Sequence, residues 1–371
     1  MGKYPPTTFL WDQLSYHSRV TRKDLTGQVA VVVGANVGLG YEAAKHFATM
    51  GAARVIMACR SKERGAAAVE RLQKETGLKN SELMLVDLAD FSSTTHFAAE
   101  LEARVDRLDI LVLNAGVTAQ DWPKRTATVD GWEPTIQVNV VSSSILAILL
   151  LPIMLRTSRE RHTIPRTVVV ASSVHFWAPP WNDEIFDQPG ILKALSDQEE
   201  FENRNVRFLV SCWKCYLRTY SVLNVLFARA LNERLRHTHP TVIVNSVDPG
   251  LCSTSLFRDE GRITVGMRLM NALFAVSAEV GSRELVWAAL GGSEDADALR
   301  GAFVARHTVR EPSDFVLSER GRIAQDRTWV SDLRSVLSIG MLMGMKREIV
   351  AIGERLDPRV SQIVKEYLLD L

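Results

Sequence analysis

The amino-acid sequence predicts an α/β fold in which a doubly wound parallel sheet carries helices on both faces. Short runs of β-branched and other apolar residues alternate with helical segments from Val29 onward. These runs are apolar at consecutive positions, as is typical of strands buried on both faces, and parallel strands need a helical crossover between them. The chain of 371 residues is 46% hydrophobic and 23% charged, an ordinary balance for a globular protein.

The predicted strands and helices follow one another along the chain. The expected strands are VAVVV (29–33), RVIMA (54–58), ELMLVD (82–87), LDILVLN (108–114), TVVVAS (167–172) and VIVNSV (242–247). The expected helices run from about Tyr41 to Thr49, from the second strand through Glu75, over THFAAELEARV (95–105), and from the fourth strand to near Arg156. This order is that of a sheet wound on both sides.

The alternation predicts a single domain over residues 27–310. Residues 1–26 precede the first strand, and we expect this N-terminal extension to pack on the outside. Residues 311–371 are a predicted C-terminal helical extension, because the helices beyond Gly301 have no place in the alternating pattern. A loop rich in Trp, Pro and Asp over residues 176–190 also interrupts the pattern.

Composition excludes several classes of function. A net charge of +1 gives no electrostatic case for binding nucleic acid or an anionic membrane surface. The apolar stretch 145–155 is shorter than the roughly 20 residues of a membrane span, and it contains Pro152. We therefore expect a buried or interfacial helix there and no transmembrane segment. Four cysteines, no Asn-x-Ser/Thr sequon and no secretory signal predict a cytoplasmic location.

A glycine-rich turn marks the expected cofactor site. Gly34, Gly38 and Gly40 stand between the first strand and the next helix, where residues without a Cβ let backbone amides approach a pyrophosphate. Arg60 follows the second strand, with Lys62 nearby, where sites that prefer NAD carry an acid. Because a guanidinium suits the 2′-phosphate, the sequence predicts a Rossmann-type sheet that binds NADP.

The spacing Gly-x-x-x-Gly-x-Gly resembles that of the short-chain dehydrogenase/reductase family, and GANVGLG (34–40) resembles its retinol-dehydrogenase-like branch. Val33 departs from the pattern, since the family has Thr there. Three further motifs match in family order: LVDLAD (85–90), LVLNAG (111–116) and DPGLCST (248–254). The resemblance implies cofactor contacts at Gly34, Asn36, Gly38, Leu39, Gly40, Arg60, Asp87, Leu88, Asn114, Ala115, Gly116, Cys252 and Thr254.

The resemblance also implies catalysis by a serine, a tyrosine, a lysine and an asparagine. Ser173 falls at the serine position and Asn139 at the asparagine position. The Tyr-x-x-x-Lys pair is missing. Counting back from NVLF (224–227) places Leu217 and Ser221 at its two positions, and a slip of one residue places Tyr216 and Tyr220 there. In that second register Tyr216 is the expected catalytic phenol, with no ammonium beside it.

A third register places Phe208 at the tyrosine position. Removing residues 212–221 in favour of one lysine would give RFLVSKVLNVLF, close to the family pattern. We therefore hypothesise a local insertion, either genuine or from a misplaced splice boundary. The CWKC motif (212–215) within it has no second pair for zinc, so no metal site is expected. His175 near Ser173 lacks the Gly-x-Ser-x-Gly elbow of hydrolases.

Taken together, the resemblance implies an NADP(H)-dependent oxidoreductase that interconverts a lipophilic secondary alcohol and a ketone, as fungal relatives do in secondary-metabolite biosynthesis. The alternative is a catalytically impaired NADP(H)-binding protein, which the missing lysine favours. A third reading gives the helix around Ile145 a role in membrane or partner attachment. Family members usually pair through two long helices, so a homo-oligomer is expected.

Overall fold

A computed structural model describes residues 4–15, 19–118, 127–178, 190–196, 213–238, 242–254, 265–292, 294–329 and 348–368. Its strands are β1 (Val29–Val33), β2 (Arg54–Cys59), β3 (Ser81–Leu85), β4 (Ile110–Leu113), β5 (Arg166–Val170), β6 (Ile243–Asp248), β7 (Cys252–Ser253), β8 (Val276–Ser277), β9 (Phe303–Ala305) and β10 (Thr308–Arg310). The six strands expected from the sequence are all present, each within three residues of its expected bounds.

The main sheet has eight strands in the order β10-β9-β6-β5-β4-β1-β2-β3. Every pairing in it is parallel except that of β9 with β10. The chain runs outward from β1 to β3 on one side and returns to β4 on the other, so the strand order reverses between β1 and β4. Ligands of open α/β sheets bind beyond the carboxyl ends of the strands at such a reversal.

Helices cover both faces of the sheet. They are α1 (Pro6–Ser15), α2 (Gly38–Thr49), α3 (Lys62–Thr76), α4 (Phe91–Arg104), α5 (Pro134–Leu149), α6 (Leu151–Arg161), α7 (Ile191–Ser196), α8 (Trp213–Thr238), α9 (Val265–Phe274), α10 (Ala278–Leu290), α11 (Asp314–Leu317), α12 (Glu319–Thr328), α13 (Glu348–Leu356) and α14 (Pro358–Tyr367). In β1, Val29, Val31 and Val33 face one core cluster while Ala30 and Val32 face the other. The prediction of strands buried on both faces is therefore confirmed.

The long helix expected to end near Arg156 is divided. Within α5 the residues Gln137–Ser142 form a π-helix between two α-helical pieces, and α6 follows after Leu150. Within the described ranges no single helix is long and apolar enough to cross a membrane. Together α5 and α6 meet that length and composition, but they bend by 42° at their junction.

The hairpin of β9 and β10 was not expected, because the sequence beyond Gly301 was interpreted as helical. Arg306 and His307 connect its strands with φ values of 57° and 54°. A two-residue connection of this kind requires positive φ at both positions, which Asn-Gly normally signals. An Arg-His pair carries no such signal, and the strands have only three residues each. The helical extension is otherwise present as α11 to α14, and Val350 and Val360 are part of the core.

Candidate active site

A cavity of about 410 Å³ opens at the carboxyl ends of β1 to β6. The segments that follow these strands supply most of its wall, and α5, α8 and the N-terminal α1 supply the remainder. Its lining residues include Phe9, Gly34, Asn36, Gly38, Leu39, Arg60, Ser61, Arg64, Asp87, Leu88, Asn114, Ala115, Gly116, Asn139, Ser172, Leu217, Tyr220, Asn224, Cys252 and Thr254. The cavity lies at the reversal of strand order, which is the expected position of a cofactor.

The glycine turn can hold a pyrophosphate. Gly34 has φ +81°, and a Cβ there would lie 2.7 Å from the Cα of Ala115. Helix α2 begins at Gly38, and its N-cap residue Val37 makes no side-chain hydrogen bond to the first turn. The backbone amides of that turn are left for a ligand, and the helix N-terminus favours an anion. A dinucleotide therefore fits these residues.

Gly40 differs from the other two glycines because it does not line the cavity. A Cβ there would lie 2.4 Å from the carbonyl oxygen of Gly34 and 2.5 Å from Nδ2 of Asn114. That Nδ2 donates to the Gly34 carbonyl at 3.0 Å. Gly40 thus allows the helix to pack closely on the turn, and its expected role as a cofactor contact is indirect.

Two arginines line the cavity after β2. Arg60 and Arg64 are exposed, and neither forms an ion pair with the described residues. Ser61 caps α3 by accepting from the Arg64 backbone amide at 3.3 Å. Lys62, which the sequence placed near the site, is not among the lining residues, whereas Arg64 was missed. Arg64 lies in the first turn of α3, whereas Arg60 precedes the Ser61 cap, so helical spacing from Arg60 does not predict that both residues line the cavity.

Asp87, Leu88 and Asn139, which the sequence proposed as site residues, line the cavity. Asp87 accepts from the Ala89 amide at 3.0 Å, which holds the turn after β3. Asn139 is 3% exposed and lies in the π-helical part of α5. Its side chain accepts from the Val117 amide at 2.8 Å and donates to the Val117 carbonyl at 2.9 Å. The Asn139 amide therefore holds the segment after β4 in place.

Ser173 is buried, and its hydroxyl donates to the carboxyl of Asp248. It does not line the cavity, whereas its neighbour Ser172 does. The Ser172 hydroxyl accepts from the Val174 amide at 3.3 Å. Burial raises the pKa of Asp248, although the bonds from Ser173 and the Gly250 amide oppose that rise. The hydroxyl of Ser173, the serine expected to act in catalysis, is thus hydrogen-bonded to Asp248, a partner that the sequence did not indicate.

His175 has a structural position. Its Nδ1 donates to the Ser172 carbonyl at 2.8 Å, and its Nε2 accepts from the Ser313 amide at 3.1 Å. Burial lowers the pKa of His175 to about 4, so the ring is neutral at pH 7. Both ring nitrogens are engaged with the backbone, which agrees with the expectation that His175 does not activate a nucleophilic serine.

Helix α8 brings a phenol into the cavity. Tyr216 lies within α8, but its side chain is outside the described residues, as are Phe208 and Cys212. Leu217, Tyr220 and Asn224 line the cavity from successive turns of the helix. Tyr220 and Asn224 have the spacing Tyr-x-x-x-Asn, so a carboxamide stands where the family spacing would place an ammonium. The sequence assigned Tyr220 to the lysine position.

The surroundings of Tyr220 contain no cation among the described lining residues except Arg60 and Arg64, which follow β2. Three strand spacings, roughly 14 Å, separate β2 from β5. Burial raises the pKa of the Tyr220 phenol. The Asn224 Nδ2 donates to the Val170 carbonyl at 2.9 Å, at the end of β5. Tyr220 is therefore a neutral acid at pH 7.

The Pro-Gly segment after β6 completes the wall. Cys252 and Thr254 line the cavity. The Cys252 thiol donates to the Pro249 carbonyl at 3.2 Å, and burial raises its pKa. Within the described ranges no group of three or more His, Cys, Asp or Glu side chains could hold a metal ion.

Comparisons with known proteins agree with this geometry. A family model described as short chain dehydrogenase matches residues 28–177. A short chain dehydrogenase/reductase of Cryptosporiopsis sp. is 32% identical over 328 residues, which cover 86% of this chain and 94% of that protein. A short chain dehydrogenase of Emericella nidulans is 38% identical over 271 residues, which cover 70% of this chain and 79% of that protein.

Solved structures share the fold. A Pseudomonas aeruginosa RhlG/NADP active-site complex has a TM-score of 0.56 at 20% identity and covers 77% of this chain and 98% of its own. Salutaridine reductase from Papaver somniferum has a TM-score of 0.53 at 21% identity and covers 74% of this chain and 99% of its own. At such identities the likeness supports the Rossmann-type fold alone.

Proposed function

The chain belongs to the short-chain dehydrogenase/reductase family, and we propose that it is an NADP(H)-dependent oxidoreductase that interconverts a lipophilic secondary alcohol and a ketone. One observation carries the proposal. The phenol of Tyr220 lines the same cavity as the glycine turn that suits a pyrophosphate. A proton donor beside a hydride carrier is the minimum that carbonyl reduction needs.

The preference for NADP rests on the two arginines. Arg60 and Arg64 line the cavity after β2, where an acid would accept from the ribose hydroxyls of NAD. Their guanidinium groups can form bidentate hydrogen bonds with a 2′-phosphate. When bound, the nicotinamide group supplies or accepts the hydride.

Tyr220 gives the proton in this proposal. Because burial raises its pKa, the phenol keeps its proton at neutral pH and can donate it to the oxygen of a ketone as that oxygen gains charge. Alcohol oxidation would require the opposite transfer, to a phenolate that burial disfavours. The same residues therefore favour ketone reduction.

The remaining polar groups orient the substrate. The Ser172 hydroxyl lines the cavity, and Ser173 becomes available only if its bond to Asp248 breaks. Asn139 positions the segment around Val117. Apolar walls from Phe9, Leu217 and other residues suit a lipophilic ketone. The similarity to fungal members supports the proposal of a role in secondary-metabolite biosynthesis.

The second candidate is a protein that binds NADP(H) without turnover. The observation that favours it is the neutral amide of Asn224, which cannot lower the pKa of Tyr220. Purified protein should be titrated with NADPH and then mixed with a panel of lipophilic ketones while NADPH absorbance is followed. Turnover that prefers NADPH over NADH supports the oxidoreductase. Stoichiometric NADPH binding without consumption supports the second candidate, and the absence of binding contradicts both.

A further inference from the structure

The N-terminal extension lies against the active-site cavity. Phe9 of α1 is one of the residues that line the cavity. Helix α1 of the predicted N-terminal extension therefore contributes to the wall of the cavity. This contact was not predictable from the sequence, because Phe9 lies many residues away from every family motif.

The side chain of Gln13 forms hydrogen bonds that connect α1 to two segments near the site. Its Nε2 donates to the Leu251 carbonyl at 2.9 Å and to the Phe274 carbonyl at 3.1 Å. Leu251 belongs to the Pro-Gly segment, and Phe274 ends α9. Gly250 has φ +76°, and a Cβ there would lie 2.6 Å from Oε1 of Gln13. The turn is thus shaped to accept this side chain.

Aromatic and ionic contacts also hold α1 in place. The ring of Phe9 packs edge-on against Trp177 with centroids 5.4 Å apart. The Trp177 Nε1 donates to the Tyr4 carbonyl at 2.7 Å. Asp12 is buried, accepts from the Tyr4 hydroxyl at 2.7 Å and pairs with Arg306 and Arg310. These contacts leave Phe9 little freedom to withdraw from the cavity.

The position of α1 identifies which part of the cavity it covers. Its partners are the segment after β6 and the turn after β5, which carries Ser172. Arg60 and Arg64 follow β2, several strands away along the sheet. Phe9 therefore faces the end of the cavity where Tyr220 and the substrate would meet, and not the end that suits the 2′-phosphate.

We propose that α1 is a wall of the substrate site, in which Phe9 contacts the apolar body of the ketone and Gln13 is the positioning residue that holds it there. This inference rests on the proposed function for its substrate class. It predicts that Phe9 determines substrate affinity and leaves cofactor affinity unchanged. Trp11 provides a matched control, because it is an aromatic residue of the same helix that is 68% exposed.

The test is equilibrium binding of 2-tetralone, a bicyclic ketone, to the full-length protein loaded with NADP+, which requires no turnover. Phe9→Ala and Gln13→Ala should each weaken 2-tetralone binding about tenfold, the effect of losing an apolar contact of one ring face. Trp11→Ala should leave it unchanged within about twofold. Phe9→Leu, which keeps an apolar side chain and the fold, should lie between Phe9→Ala and the unmodified protein.

Binding of NADP+ is measured for every variant alongside the ketone. Equal 2-tetralone affinity for Phe9→Ala and Trp11→Ala would overturn the proposal, and so would a loss of NADP+ affinity in Phe9→Ala. If the unmodified protein binds NADP+ but not 2-tetralone, the proposal that α1 forms a wall for a lipophilic ketone is wrong. If the unmodified protein does not bind NADP+, the proposed function itself fails, which is a distinguishable result.

Discussion

Ser173 donates a hydrogen bond to Asp248, and both side chains are buried. Asp248 also accepts from the Gly250 amide at 3.0 Å and faces a second cavity of about 40 Å³ that Tyr4 and Asp12 line. The serine that family resemblance marks for catalysis is thus coupled to a titratable group behind the active site. The protonation of Asp248 is therefore expected to influence both the stability of the fold and the freedom of Ser173.

Asp248→Asn should change how stability depends on pH. Because burial raises the pKa of Asp248, the folded protein holds a proton that the unfolded chain releases, so stability falls as pH rises from about 4 through the folded pKa. The charge of Arg310 opposes the rise in the pKa of Asp248. Tyr4 and Cys252, in the same region, also have raised pKa values. Thermal unfolding should be measured between pH 4 and 9. As pH rises, the stability of Asp248→Asn should increase relative to that of the unmodified protein. Parallel curves would contradict the prediction.

Tyr220→Phe should reduce ketone turnover by about 10²- to 10⁴-fold, the usual contribution of a positioned proton donor. Affinity for NADPH should stay within about twofold, because only the hydroxyl is removed and that hydroxyl makes no hydrogen bond with the described residues. Steady-state kinetics and NADPH titration measure the two effects separately.

Tyr216→Phe is the matched control, because Tyr216 is the phenol that the sequence predicted for catalysis. Turnover that falls with Tyr216→Phe and persists in Tyr220→Phe would restore the sequence-based assignment. Turnover that survives both substitutions would remove the phenol from the proposed reaction.

The fold was predictable where burial leaves a regular signature, as in the unbroken apolar runs of β1 and β4. The glycine turn was predictable for a similar reason, since Gly34 has a backbone conformation and a contact with Ala115 that side chains rarely permit. The hairpin at Arg306 and His307 was not, because its positive φ values fall on residues that do not favour them.

The positions of Ser173, Phe9 and Tyr220 in the candidate active site depend on tertiary contacts, which the spacing of residues along the chain does not encode. The pairing of Ser173 with Asp248 joins residues 75 positions apart. Phe9 reaches the cavity from a helix that Gln13 bonds to carbonyls more than 230 positions away. Tyr216 and Tyr220 lie one turn apart on the same side of α8, so the choice between the two phenols depends on how far along its axis the helix meets the cavity, which spacing alone does not show.

Asn224→Lys should restore part of the interaction between a cation and the Tyr220 phenol that the family pattern provides. An ammonium one helical turn from Tyr220 would lower the pKa of the phenol, so alcohol oxidation should gain rate and its pH profile should move to lower pH. The cost is the hydrogen bond from Asn224 to the Val170 carbonyl, about 1 kcal/mol of stability. Asn224→Met, which loses the same bond without adding charge, is the control. Identical pH profiles for the Lys and Met variants would show that position 224 does not act on Tyr220.

Arg60→Ala and Arg64→Ala test which end of the cavity holds the 2′-phosphate. Each guanidinium is exposed and forms no ion pair with the described residues, so either can turn toward a bound phosphate without breaking another bond. A charge-assisted hydrogen bond of roughly 1.5–3 kcal/mol corresponds to a loss of NADPH affinity of about tenfold or more for each variant. NADH affinity should change less than about twofold, because NADH has no 2′-phosphate. Lys62 is a neighbouring cation outside the cavity wall, so Lys62→Ala should leave both affinities unchanged. If the arginine variants lose equal affinity for NADPH and NADH, the arginines bind the part that the two cofactors share.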